Sequence, residues 1–207
     1  MATPRRCAPW PSARTAALAS AGNDKTVRLR DVADLARPTP LGPPLTGKND
    51  TVHSVSFGPD GRMLATGGED RTLRLWNVTN PAVPVPQSQA ITMHTMAVWE
   101  VAFSPDSTLL TSASADNTTR LWNLSDPANP IPFGQPLVAG SGGANTVQFS
   151  PKGRTLATWS YGSVVSLWSI PSTSLAGHGY WVSASSSAAM GGYSPLPAAT
   201  RPPASGT

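Results

Sequence analysis

The chain has 207 residues, 13% of them charged, and a formal net charge of +4. Its 18 glycines and 22 prolines favour turns and edges over long helices, and no apolar run approaches the 18 residues or so that a membrane helix requires. A single cysteine, Cys7, excludes an internal disulfide framework and a cysteine-built zinc site.

The basic excess is confined to the ends. Arg5, Arg6, Arg14 and Arg201 lie there, whereas residues 18–183 carry 11 basic and 11 acidic residues. A phosphate-binding face needs clustered Lys and Arg, and the neutral body offers none. The expectation is a chain that engages neither nucleic acid nor membrane.

Residues 1–17 begin with Arg5 and Arg6 and run towards "ALASA", which mimics an export signal. The intervening "CAPWPSART" gives no sustained apolar stretch, so no signal peptide is expected. A cytoplasmic location follows as an expectation, and Asn-x-Ser/Thr triplets such as the one at Asn77 are chance matches. This segment is expected to be irregular.

From residue 18 the chain repeats itself with a step of 46. Phe57, Phe103 and Phe149 align, as do Pro59, Pro105 and Pro151. Asp24, Asp70 and Asp116 form an acidic column, and Ser20, Thr66, Ser112 and Thr158 a hydroxyl column. Trp76, Trp122 and Trp168 form an aromatic column, which starts with Arg30 in place of tryptophan. The repeats are placed at about 18–46, 47–92, 93–138 and 139–183.

The second repeat shows the order of elements. "HSVSF" (53–57) alternates as a strand does, and "GPDG" (58–61) is a turn. "RMLATGG" (62–68) is a second strand. "TLRLWN" (72–77) is a third, with leucines alternating against Thr, Arg and Trp. The proline-rich 81–86 reads as a loop or edge passage, because proline donates nothing to a ladder. A short fourth strand is expected near 88–91. One such antiparallel sheet cannot bury both faces alone, so neighbouring sheets must stack.

The spacing "FSPDxxxLxxxSxDxxxRLW", met in three of the repeats, resembles the WD40 repeat family. That resemblance covers about residues 18–183 and implies an all-β fold. The expected form is a partial β-propeller of about four four-stranded antiparallel blades, in an open arc with irregular ends. It also implies a His–Ser/Thr–Asp–Trp set pinning each blade. The third repeat fills every slot, with His94, Ser112, Asp116 and Trp122. The second has Thr66, Asp70 and Trp76, with Lys48 in the histidine slot. The fourth keeps Thr158 and Trp168 but has Gly140 and Gly162 in the other two. The first has Ser20 and Asp24 but Arg30, and loss of an indole there would cost about 3–5 kcal/mol if the slot were well packed. These sets are read as structural, not catalytic, since a buried indole N–H and carboxylate need partners.

The tail, 184–207, is expected to be irregular or disordered. With suitable codons, a one-base shift turns 7–15 into "VRAVAFSPD" and 187–196 into "FSRDGRVLAA". Both ends are therefore read as out-of-frame remnants of further repeat, the second as a fifth blade. A bland Ala/Ser/Pro/Gly tail is the alternative.

For function, the resemblance implies a protein-interaction scaffold. Strand entries and the turn before the Asp column supply candidate contacts: Trp99, His53, Glu69 and Tyr161. Trp99 leads, because exposed aromatics anchor interfaces. No enzyme activity, metal or cofactor is expected. His53, His94 and His178 show no metal-type spacing, and "AGSGG" (139–143) lacks the strand–turn–helix setting of a phosphate loop. The partner expected is another protein, with self-association through open propeller edges also expected. The alternative is a fragment of a larger bacterial signalling protein, a kinase or NTPase fused to WD40 repeats, with no function of its own.

Overall fold

The computed structural model describes residues 6–9, 17–138, 142–160 and 165–170. They form four antiparallel sheets and no helix. The first sheet contains β1 (Arg6–Pro9), β2 (Ala17–Ala21), β3 (Val27–Asp31) and β4 (Thr39–Pro40). The second contains β5 (Val52–Phe57), β6 (Met63–Gly68), β7 (Leu73–Asn77) and β8 (Val85–Pro86). The third contains β9 (Val98–Phe103), β10 (Leu109–Ser114), β11 (Thr118–Asn123), β12 (Ile131–Pro132) and β13 (Leu137–Val138). The fourth contains β14 (Ala144–Phe149), β15 (Thr155–Ser160) and β16 (Val165–Ser169). Each sheet is a meander in chain order, as short connections favour.

Strand β1 lies inside the stretch expected to be irregular. It pairs with β2, Arg6 opposite Ala21 and Pro9 opposite Leu18. The fourth strand of the second sheet also departs from expectation. It is Val85–Pro86, paired with β7, and the chain touches β7 again only at an Ile91–Leu73 bridge. The proline ring lacks a donor, so the residue after it supplies the bond: Gln87 N–H donates to Leu75 O at 2.8 Å, as Leu41 and Phe133 do in their sheets. Prolines thus sit on the outer edge of each of the first three sheets, where a missing N–H costs least.

The turns explain two columns. Asp24, Asp70 and Asp116 accept a bond from the backbone N–H two residues on, at 3.2, 3.1 and 3.0 Å. That Asx closure holds the intervening Lys25, Arg71 and Asn117 at φ values of 65°, 64° and 68°, a left-handed conformation uncommon for side-chain-bearing residues.

The sheets stack in chain order, and three apolar clusters fill the junctions. Between the first two sheets lie Ala19, Ala21, Val27, Leu29 and Leu45 against Val55, Phe57, Leu64, Trp76 and Val78. Between the second and third, Ala65, Leu73, Leu75 and Ile91 meet Val101, Phe103, Leu110, Trp122 and Leu124. Between the third and fourth, Ala113, Leu121 and Leu137 meet Val147, Phe149, Leu156, Trp168 and Ile170. Every junction therefore has one polarity. A trailing face carrying small residues and leucines receives a leading face carrying phenylalanine and tryptophan. The alternation of strand side chains assigns the two sets to opposite faces of each sheet.

This polarity corrects the expectation for Arg30. The tryptophan slot is buried only where a sheet precedes it, and among the described residues none precedes the first. Arg30 is exposed, opposite Leu18 and Pro40. No indole burial is lost there, so the expected penalty does not apply.

Candidate functional site

Three residue sets bear on function. Two are internal locks and one is a surface cluster.

In the third sheet a hydrogen-bonded chain runs through the blade. Trp122 Nε1–H donates to Ser112 Oγ at 3.0 Å. Ser112 Oγ lies 2.8 Å from His94 Nε2, and His94 Nδ1 lies 2.8 Å from Asp116 Oδ2. A carboxylate only accepts, so Nδ1 carries the ring proton and Nε2 accepts from the serine hydroxyl. Thr118 Oγ1 and the Thr95 N–H also donate to Asp116, at 2.6 and 3.1 Å. Burial opposes ionisation of Asp116, but the donors Thr118, His94 and Thr95 outweigh it and hold its pKa at about 2. Burial lowers the His94 pKa, and the pull of Asp116 only partly offsets this. The ring is thus neutral, which agrees with the proton assignment. The four residues expected together are together, and each of their polar side-chain atoms has a partner within the set or in Thr118. His94 and Ser112 are buried and Asp116 is largely so, so the arrangement locks the blade and presents no nucleophile to solvent.

The second sheet solves the same problem with a different residue. Lys48 Nζ donates to Asp70 Oδ1 at 3.0 Å and to Thr72 Oγ1 at 2.9 Å. Burial pushes the Lys48 pKa down to about 8, and Asp70 pulls it part of the way back. Lys48 holds the acid end of the set only. The Trp76 Nε1–H to Thr66 Oγ1 contact stretches to 3.4 Å. In the fourth sheet Trp168 Nε1–H donates to Thr158 Oγ1 at 2.9 Å. Gly140 and Gly162, which fill its other two slots, lie outside the described residues.

The surface cluster assembles three of the four expected contact residues. Strands β5, β9 and β14 each carry a bulge at their start, at 52–54, 98–100 and 144–146. The extra residues are His53, Trp99 and Asn145, one per 46-residue step. A bulge re-aims a side chain out of the ladder. His53 and Trp99 consequently meet across the junction of the second and third sheets, ring centroids 4.5 Å apart at 38°. Glu69, just beyond β6, brings Oε2 to 2.6 Å from His53 Nε2. His53 is buried, Trp99 half-buried and the Glu69 carboxylate half-exposed. His53 Nδ1 is buried without a hydrogen-bond partner among the described residues. Tyr161, the fourth candidate, lies outside them.

Sequence reasoning missed Met93 and Met96. Both stand on the loop that enters β9, 46% and 52% exposed, at the same end of the stack as Trp99 and Glu69. The step of 46 places them opposite Gly47 and Asp50, which are not apolar, so no column marked them. The signal available was local: two flexible apolar side chains flanking a buried histidine.

Among the described residues no group of three His, Cys, Asp or Glu side chains is placed to hold a metal ion, and no helix is long and apolar enough to cross a membrane. A family model described as "WD domain, G-beta repeat" matches residues 40–77 and 86–123. These two stretches are WD40 repeats. Each matched window opens on an outer-edge proline, Pro40 or Pro86, and closes with the indole strand of the following sheet, β7 or β11. The WD40 repeat as written in the sequence therefore straddles a junction, which is why its tryptophan packs on the sheet before its own. No curated protein matches the chain.

Proposed function

We propose that this chain is a protein-interaction scaffold, and that its contact face is the end of the stack where β5 and β9 begin. WD40 repeats generally mediate protein interactions. The observation that carries the placement is the His53–Glu69–Trp99 cluster. It spans two sheets, is held by bulges on packed strands, and combines a half-buried aromatic with a half-exposed carboxylate at the end of the stack that also carries Met93 and Met96. Rigid strand ends hold such a constellation more firmly than free loops, and aromatic anchors dominate interface energetics. The partner is another protein and not nucleic acid, because residues 18–183 carry no excess of positive charge.

Trp99→Ala tests this. The full chain and the variant serve as baits under identical conditions, with circular dichroism to show that both keep their strand content. A partner retained by the wild type and lost by the variant supports the contact face. A partner held equally by both sinks it.

A further inference from the structure

A column of arginines takes no part in the locks. Arg28, Arg74 and Arg120 stand one repeat apart on β3, β7 and β11, each opposite a member of the hydroxyl column. Each follows the aspartate of its own turn by four residues. In the first sheet the two belong together, and Arg28 Nη2 donates to Asp24 Oδ2 at 3.3 Å. In the next two sheets the aspartate is drawn into a lock instead, by Lys48 in one and His94 in the other. Arg74 and Arg120 have no carboxylate partner among the described residues, and the Nε of each is buried without a hydrogen bond.

The two differ in charge and in access. Around Arg120 the ring of His94 is neutral, so the guanidinium is balanced by Asp116. Around Arg74 the histidine slot holds Lys48, and two cations share the single carboxylate of Asp70. Burial and, after it, the charge of Arg74 lower the Lys48 pKa to about 8 against the pull of Asp70, so the two cations feel each other. Access comes from Gly47, which is exposed. A Cβ there would stand 3.5 Å from Arg74 Nη1 and 3.7 Å from Cζ. Gly47 holds φ at 110°, where a side chain is strained, so the opening is built into the backbone. The equivalent position beside Arg120 is Met93.

We propose that Arg74 is a seat for a single oxyanion, a carboxylate or a phosphate group, reached past Gly47. A guanidinium presents paired N–H donors that match either group, and Asp24 on Arg28 shows the column taking a carboxylate. Lys48 creates the vacancy by claiming Asp70, and its charge adds to the attraction. One such seat is not the clustered field that nucleic acid requires. It lies at the entry to the second sheet and stands whether or not Trp99 anchors a partner.

The test titrates inorganic phosphate and, separately, N-acetylglutamate into the full wild-type chain at constant ionic strength. The arginine Nε–H resonances are followed by NMR. The Arg74 resonance is expected to shift saturably while that of Arg120 stays in place. Saturation by phosphate alone assigns the seat to a phosphate group, and saturation by the carboxylate assigns it to an acidic side chain. R74Q, with its strand content checked by circular dichroism, is expected to bind about tenfold or more weakly by calorimetry, and R120Q as the wild type does. No shift at Arg74, an equal shift at Arg28, Arg74 and Arg120, or undiminished binding by R74Q overturns the proposal. If R74Q loses its strands, the wild-type spectrum decides alone.

Discussion

At the scale of the residue, the column of hydroxyls does unequal work. Ser112 Oγ accepts from Trp122 and meets His94 within 2.8 Å. Its removal leaves a buried indole N–H and a buried imidazole nitrogen without partners, each an uncompensated desolvation. Thr66 makes only a long 3.4 Å contact with Trp76, and Lys48 turns away from it towards Asp70 and Thr72. Ser112→Ala is therefore expected to cost about 1–3 kcal/mol and Thr66→Ala less than half as much, measured by urea unfolding of the full chain. Equal losses would mean that the histidine in the third set adds nothing to the lock. The same comparison shows what a lysine in a histidine slot achieves. It supplies a donor to the aspartate but cannot also accept from the hydroxyl, since an ammonium has no lone pair.

At the scale of the element, the inner strands decide the junctions. Ser54 Oγ and Glu100 Oε2, one repeat apart, accept from the backbone N–H of Val101 and Val147 in the following sheet, at 3.1 and 3.0 Å. The inner strand is thereby tied forward as well as packed. Gly67→Ala places a methyl against Val98 and Val101, and overpacking of this kind costs about 1–3 kcal/mol. An unchanged thermal midpoint in Gly67→Ala would refute the view that this position is small because a strand lies over it. Much of this was legible beforehand. The step of 46 placed most of the strands and the indole slots, because each depends on local alternation and turn chemistry, and the resemblance to the WD40 family implied the third hydrogen-bonded set. Two features were not legible. The bulges that swing His53 and Trp99 together depend on how two strands pair, which a period of two along one strand does not record. The polarity of the junctions was hidden because a column shows which residue recurs, but not which neighbour covers it. That is why Arg30 reads as a damaged slot in the sequence and as an exposed surface residue in the structure.

At the scale of the whole molecule, stability depends on three junctions joined end to end, each held by one indole and a few hydrogen bonds. The third sheet belongs to two of them, so its buried set responds to acid for the stack as a whole. In the folded chain the His94 pKa lies below its ordinary 6.5, chiefly through burial. The unfolded chain therefore binds the extra proton first, and stability falls as pH drops through the ordinary histidine range. Asp116 extends the trend. Its pKa, held at about 2 against an ordinary 3.8, supplies stability that is complete above 3.8 and is lost as pH falls from there towards 2. Lys48 has the same sign at the other end of the scale. Its folded pKa of about 8 against 10.5 makes the unfolded chain the better proton binder between those values, so this residue destabilises least above them. Thermal unfolding of the full chain from about pH 7 to pH 5 is expected to show a falling midpoint. His94→Gln keeps a side chain able to bond Asp116 or Ser112 but cannot titrate, so it should begin from a lower midpoint and stay flat across that window. A variant that falls as steeply as the wild type would place the acid-sensitive group elsewhere, and the buried neutral ring would then be a consequence of the fold and not one of its supports.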